Sequence, residues 1–513
     1  MKRRPSSFTM ALLLLSLAGV ALALYTMRPG PGIRGDSVRY VMGAQNLLAG
    51  NGFSRLSGGG EVFPETGFAP LLSFVLAGFG IFGIDMYAAI EVLNALLFGG
   101  SLFLVGTLIA TANRSRWLSL LGSALVLTAP NVFVWHVNLM SEGLFIFLSL
   151  LALYALIVHL RTGRLGPLYL SAVAAGIASL ARYAGVSLIP MGGLAILVWG
   201  SGSRQERMGR ALGFCFLAAL PFVLWMVRNQ AVGGAGLANR QIRFHTIPPE
   251  RLKVYLFQPT SWVIPESIVL PRTIRGALAL LALCAGPALW IWKTLRARAA
   301  AAIETTGKAG LLPWLLLILI PCYIAVLVVN SLLLDAGTTY DGILRYLTPL
   351  FVLGVMLELT TYSNAFPSGR ARWPSAILLG SWVIAALVTN IPETLTIARR
   401  STLEIGFTRI RAEWRDLASD LRAASTIITD NPEMVYYLID RPAYTMPIKF
   451  DQYQQAFRED YPEQIQLAHD RLEGGAVLVV FGPPSDEEAE AIALLKVSAL
   501  RTYDEAVVYG YAS

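Results

Sequence analysis

The sequence predicts an α-helical multi-pass membrane protein carrying a C-terminal soluble α/β domain. Three observations carry that fold class. Of 513 residues, 55% are hydrophobic and 14% are charged, where soluble domains hold about 25% charged residues. The apolar residues gather in runs near the length of about 20 residues that crosses a hydrocarbon core. The charge is split: residues 396–513 hold 12 basic and 19 acidic residues, whereas residues 1–395 hold 29 basic and 14 acidic. The expected division is therefore a transmembrane domain over 1–395 and a soluble domain over 396–513.

Eleven spans are expected, near 8–27, 87–111, 117–135, 140–159, 167–181, 184–200, 209–227, 273–293, 311–334, 346–361 and 373–391. Residues 68–84 are apolar but short, with one proline and three glycines. Residues 167–200 are interrupted by Arg182 and Tyr183. The positive-inside rule decides both ambiguities. With 68–84 interfacial or re-entrant and 167–200 split, the cytoplasmic loops collect Arg114, Arg116, Arg161, Arg164, Arg204, Arg207, Arg210, Arg296, Arg298, Lys308, Arg370 and Arg372. Met1-Lys2-Arg3-Arg4-Pro5 then places the N-terminus in the cytoplasm. Ala21-Leu22-Ala23 has the form of a signal-peptidase site, although the preceding run is long for a signal sequence. The outward segments become a first loop (28–86), a second (228–272) and the tail from about 392. The location expected is the plasma (inner) membrane, with the tail on its outer side.

In the first loop, Val38, Val41, Met42, Gln45 and Leu48 share one helical face and Gly50 supplies a stop. This predicts an amphipathic helix at the outer membrane surface. In the tail, 425–429 and 477–481 read as strands, and Asn431-Pro432-Glu433 opens a helix through Leu438. Asp486 to Leu500 reads as an acid-started helix, and 507–511 as a last strand.

Composition excludes several functions. Cys215, Cys284 and Cys322 lie in apolar runs with no CxxC, so neither a disulfide framework nor a zinc site is expected. His136, His159, His245 and His469 have no metal-ligand spacing, and His136 reads as a solvated loop residue. No basic cluster interleaves with aromatics, so no nucleic acid partner is expected. No G-x-G-x-x-G or P-loop offers a nucleotide site.

The candidate chemistry sits at outward ends of spans. Asp36 opens the first-loop helix; it reads either as an N-cap or as a general base held at the membrane boundary. Tyr40 follows one turn later. Glu65 reads as an exposed loop acid or as a second carboxylate facing the same cavity. Glu142 opens the fourth span, with Ser141 placed to cap it, and an ionisable residue at that depth is a functional candidate. Arg182-Tyr183, Arg228-Asn229 and Arg345-Tyr346 fall where topology does not favour positive charge. Three such arginines suit a shared anion such as a lipid phosphate.

Taken together, these segments resemble the GT-C superfamily of membrane glycosyltransferases, in particular the bacterial branch similar to protein O-mannosyltransferases and the lipid A aminoarabinose transferase. The resemblance rests on Gly35-Asp36-x-x-x-Tyr40-x-x-x-Ala44-x-x-Leu47-Leu48-x-Gly50-x-Gly52-Phe53 and on Thr66-Gly67-Phe68-Ala69-Pro70-Leu71-Leu72. It continues through Ser141-Glu142-x-Leu144-Phe145, Ala175-Gly176-x-Ala178-x-Leu180-x-Arg182-Tyr183, Pro221-x-x-x-Trp225-x-x-Arg228-Asn229 and Arg345-Tyr346-x-x-Pro349. Asn431-Pro432 to Leu438, with Arg441-Pro442, resembles the family's outer domain. One departure exists: protein O-mannosyltransferases carry paired acids at the first-loop site, whereas Ser37 follows Asp36.

The resemblance implies an inverting transfer from a polyprenyl-phosphate sugar donor to a lipid, glycan or protein acceptor, with membrane lipids around the site. It implies Asp36 as the base, Glu65 as a second catalytic carboxylate, Arg182, Tyr183, Arg228, Arg345 and Tyr346 around the donor phosphate, and Tyr40 and Glu142 against substrate. The resemblance fixes no cofactor: Glu65 positions the acceptor or, as in some relatives, holds a divalent cation. The competing readings are a transporter or lipid flippase, which predicts symmetry between halves and polar residues at mid-span, and a glycan ligase using lipid-diphosphate donors.

Overall fold

A computed structural model describes residues 6–112, 115–233, 242, 244–264, 270–300, 310–334, 340–365, 372–402, 414–451 and 456–511. Eight helices are long and apolar enough to cross a membrane: α1 (Ser7–Thr26), α4 (Met86–Ala112), α7 (Glu142–Thr162), α10 (Arg204–Ala231), α12 (Arg272–Ala300), α13 (Leu311–Leu333), α14 (Tyr340–Ala365) and α15 (Arg372–Arg400). A ninth crossing is a pair bent by 65°, α5 (Arg116–Leu127) and α6 (Pro130–His136). The bend falls at Ala129-Pro130, where proline has no amide to continue the ladder.

The remaining two are shorter, α8 (Leu165–Ala181) and a 3₁₀ turn (Tyr183–Ser187) running into α9 (Leu188–Trp199). They form a hairpin that turns at Arg182. Gly163 before α8 lies beside Ser201 after α9: a Cβ on Gly163 would stand 3.2 Å from the Ser201 hydroxyl oxygen. The segment 167–200 is thus two antiparallel helices, as expected, each shorter than the eight membrane-length helices.

Close packing of small residues holds the first helices together. A Cβ on Gly106 would lie 2.5 Å from Leu12, and one on Gly99 2.5 Å from Val20, so α1 and α4 approach where only glycine fits. Helix–helix contact of this kind is how apolar helices associate in lipid, where hydrophobic burial supplies little. The core continues through Phe98, Phe133, Leu153, Met191, Leu315 and Met356, all buried.

The two ends of this bundle differ. At one end, Arg161 donates to Thr111 O at 2.5 Å, Arg207 to Leu197 O at 3.0 Å and Arg210 to Ser201 O at 2.8 Å, each arginine meeting carbonyls at a helix C-terminus. Trp199, Trp290 and Trp314 pack together there. Arg114, Lys308, Arg370 and Met1 to Pro5, which entered the orientation argument, lie outside the described residues.

At the other end lies the first loop: α2 (Gly35–Leu48), the hairpin β1 (Ser54–Leu56) and β2 (Val62–Pro64), and α3 (Leu71–Ile81). At 11 residues α3 is too short to span; it packs on α2, with Ser73 donating to Tyr40 O at 2.9 Å. Helix α2 is enclosed rather than one-sided. Val38, Val41 and Met42 are buried as the pattern predicts, but Ser37, Tyr40, Gly43, Ala44 and Asn46 are buried too, and Leu48 is exposed.

Helix α15 runs unbroken to Arg400, and Thr402 then donates to Gly30 O, which brings the tail to the first-loop end. There a mixed five-stranded sheet has the order β4-β3-β7-β9-β8. Strand β3 (Ile427–Thr429) pairs in parallel with β4 (Tyr444–Thr445) and β7 (Val477–Phe481), and β9 (Ala506–Tyr511) is antiparallel to β7 and β8 (Val497–Tyr503). The helix expected to reach Leu500 ends at Leu494, because Lys496 turns left-handed (φ 53°) and Val497 enters a hairpin. Two amphipathic helices, Arg415–Ala423 and Tyr461–Glu473, were not anticipated.

Candidate functional site

The bundle end that meets the first loop gathers four charged side chains from four elements. Asp36 lies in the first turn of α2, Glu142 in the first turn of α7, Arg182 at the α8–α9 turn and Arg345 in the second turn of α14. Arg345 Nη1 donates to Asp36 Oδ2 at 2.5 Å and its Nε to Glu142 Oε1 at 2.5 Å. Arg182 Nη1 donates to the same Glu142 oxygen. Two charge-assisted contacts of this kind fix geometry better than either ion alone.

Burial separates the two acids. The Glu142 side chain is fully enclosed, whereas that of Asp36 keeps 34% of its surface. Glu142 therefore gathers the two guanidiniums from within, and the Asp36 carboxylate stays part-exposed. Asp36 is not the N-cap of α2; the chain enters the helix from Arg34, whose amide donates to Ser37 Oγ at 3.0 Å. Nor does Ser141 cap α7: its hydroxyl pairs with Tyr40 OH at 3.1 Å. Burial, with Asp36 and Glu142 close by, pushes the Tyr40 phenol well above its usual range, so it stays a neutral hydrogen-bonding group.

Aromatic rings frame the network. Arg182 lies over the Tyr346 ring at 5.3 Å. Trp135 stands between Arg345 at 5.5 Å and Arg34 at 4.8 Å. Such contacts favour a cation at about 0.5–2 kcal/mol each. Beside Trp135, His136 is buried rather than solvated; its Nδ1 bonds Val132 O at 2.9 Å within the last turn of α6. The bent helix carries it inward, a placement that sequence position does not reveal. An apolar crevice is lined by Phe145, one turn after Glu142 on α7, by Pro349, one turn after Arg345 on α14, and by Ser187, Leu319, Tyr323 and Val352.

The other predicted residues form a second cluster. Arg228 donates to Glu65 O at 2.6 Å, Phe53 O at 2.7 Å and Asn229 Oδ1 at 3.0 Å. Tyr183 OH donates to Phe68 O at 3.0 Å and accepts from Trp225 Nε1 at 3.1 Å. These groups pin the first loop onto α10 and the α8–α9 turn through its carbonyls. Glu65 is buried rather than exposed, with Oε1 accepting from Gly67 N at 2.7 Å.

Sequence reading missed Arg39, Trp135 and Glu433. Arg39 Nε donates to Glu433 Oε1 at 2.7 Å, across 394 residues of sequence. Burial works against the Arg39 charge, but Glu433 and Glu65 hold the guanidinium above its ordinary value. One signal was available: Asp36 and Arg39 are three apart, so they neighbour each other on a helix.

A bundle of at least eight membrane-length helices with an acid on an enclosed first-loop helix, arginines at the same end and an α/β domain docked on that loop has the architecture of GT-C membrane proteins of known structure. Comparison with known proteins agrees. The chain is similar to the apo structure of ArnT from Cupriavidus metallidurans, with a TM-score of 0.57, 14% identity and 98% of each chain covered. The same protein bound to undecaprenyl phosphate gives 0.55, 14% and 98% of each chain. The archaeal oligosaccharyltransferase AglB from Archaeoglobus fulgidus, in complex with an inhibitory peptide and a dolichol-phosphate, gives 0.55 and 11%, covering 92% of this chain and 69% of that one. No family model matches the sequence, and no curated protein matches it.

Proposed function

We propose that the chain is an inverting glycosyltransferase that moves a sugar from a polyprenyl-phosphate donor to an acceptor hydroxyl at the outer face of the membrane. The observation that carries this reading is the network Asp36–Arg345–Glu142–Arg182, with a part-exposed carboxylate at one end and two guanidiniums gathered on a buried acid. Two of the similar structures hold a polyprenyl phosphate, undecaprenyl phosphate in one and dolichol-phosphate in the other. The outer-face assignment is supported by the arginines at the opposite end of the bundle.

In this reading Asp36 takes the proton of the acceptor hydroxyl. The acceptor oxygen attacks the anomeric carbon opposite the phosphate, the bond from that carbon to the phosphate oxygen breaks, and the electron pair leaves with the lipid phosphate. Arg182 and Arg345 stand where that charge develops, and preset donors of this kind are worth about 3–4 kcal/mol each. Glu142 positions the arginines rather than touching substrate, since its side chain is fully enclosed. Arg228 holds the loop that carries Glu65.

Glu65, the acid that would hold a divalent cation, has Oε1 on the Gly67 amide and the Arg39 guanidinium 3.8 Å from Oε2, so a cation there would compete with Arg39. Asp36 and Glu142 each face a guanidinium, and a metal would displace it. Among the described residues the one group of three metal-ligating side chains within reach of one another is His469, Asp470 and Glu473, on a helix of the soluble domain. No step is routed through a metal. A flippase is disfavoured by charge gathered at one end; Glu358, buried in α14 against Gly286 of α12 and toward the opposite end of that helix from Arg345, is a span acid that the sequence reading passed over.

The test is turnover of a radiolabelled polyprenyl-phosphate sugar by purified protein in lipid nanodiscs, with a cell-envelope extract as acceptor. Asp36→Asn is expected to lower turnover by about 10²–10⁴-fold, the range for a lost general base. Full activity in that variant overturns Asp36 as the base. Failure of the unmodified protein with every lipid-linked donor overturns the transferase reading.

A further inference from the structure

The soluble domain reaches the first-loop acids through a single charged side chain. Glu433, in the first turn of the helix Pro432–Ile439, accepts from Arg39. Arg39 lies over the Phe68 ring at 5.3 Å, and its Nη1 stands 3.8 Å from Glu65 Oε2. That Glu65 oxygen is buried and accepts no hydrogen bond from a described residue. A buried carboxylate oxygen without a donor is costly, and here it faces an arginine held by an acid from the other domain.

Two further contacts clamp the same loop. Tyr436 OH donates to Gln45 Oε1 at 2.8 Å. Tyr444 lies so close to the β1–β2 turn that a Cβ on Gly58 would come within 2.3 Å of its ring. The domain thus grips both α2 and the hairpin.

We infer that Glu433 is a positioning residue of the transfer site: it holds Arg39 beside Glu65, and Arg39 and Glu65 form the acceptor side of that site, between the two domains, for a polar acceptor that bears hydroxyls. The inference rests on the glycosyl-transfer reading. Its chemistry is complementary to a polyol. Glu65, buried like Glu142, keeps the guanidinium in place, and the part-exposed Arg39 Nη groups donate to acceptor oxygens. Asp36, one turn before Arg39 on α2, then lies between this pair and the donor-side arginines. A loop that holds the base is thereby set by the domain that meets the acceptor.

The experiment uses the full chain in nanodiscs with a radiolabelled polyprenyl-phosphate sugar and a lipid-and-glycan extract of the cell envelope. Glu433→Gln is expected to raise the extract concentration giving half-maximal rate about five- to tenfold, the loss of a part-buried ion pair, with the KM for donor unchanged. Glu433→Asp should restore most of the loss. No change, or an equal change in donor and acceptor dependence, overturns the inference. Hydrogen exchange gives a second readout that needs no turnover: residues 35–48 should exchange faster in Glu433→Gln than in the unmodified protein, and equal exchange overturns the inference. If no donor is used at all, the transferase reading falls and the exchange result alone decides whether Glu433 clamps the loop.

Discussion

At the scale of single residues, Glu142 decides how the site is built. Its enclosed carboxylate is shared by Arg182 and Arg345, which enter from helices 163 positions apart in sequence. Removing one partner of a buried pair leaves the other charge uncompensated, at about 3–5 kcal/mol. Glu142→Gln should therefore lower the thermal midpoint of the purified protein and raise the KM for donor more than that for acceptor. Unchanged donor binding would show that the arginines are held by something else. The sequence marked all four members of this network because each sits where topology or helix depth makes a charge unusual. It could not say which of the two acids would be enclosed, since burial depends on neighbours from α6, α8 and α14. For the same reason His136 read as solvated, and nothing in the sequence joined Arg39 to Glu433.

At the scale of elements, local pattern was most reliable where one element satisfies its own needs. The long apolar helices and the capped helix at Asn431, whose side chain accepts from Met434 N, were legible for that reason. It was least reliable where pairing intervenes: Val497–Tyr503 lies in a strand because β9 pairs with it, not because of its own preference. Strand β3 supplies a test of such local environments. Asp430 follows it, accepting from Phe481 N at 3.1 Å and Thr429 Oγ1 at 3.2 Å, and burial nevertheless pushes its carboxyl up to about 6. An unfolded aspartate titrates near 3.9. Between about pH 4 and 6 the folded domain therefore holds more protons than the unfolded chain, and stability falls as pH rises through that window. Below it both forms are protonated and the penalty vanishes; above it the penalty is fully present. Asp430→Asn should flatten this part of the stability profile, read as the thermal midpoint of the full chain at steps across the window. Parallel profiles for the two proteins would contradict the shift.

At the scale of the whole molecule, the acidic tail and the site share one end of the bundle, and the topology arginines hold the other. The proposed orientation puts the tail outside. A membrane-impermeant maleimide should label Glu487→Cys in intact cells and Arg204→Cys only after permeabilisation; the reverse pattern would invert the topology and remove the outer-face reading. The sequence by itself determined that the chain spans a membrane many times, that a soluble domain follows, and that charges at a few span ends needed explanation. Those facts are read from composition and from periodicities that each segment must satisfy alone against lipid or water. Tertiary structure decided which charges meet. It enclosed Glu142, left Asp36 part-exposed, set Arg228 to hold a loop and brought Glu433 against Arg39. The reason is physical: a charge is cheap in water and costly in a low-dielectric interior unless paired, and pairing is a relation between segments that no single segment encodes.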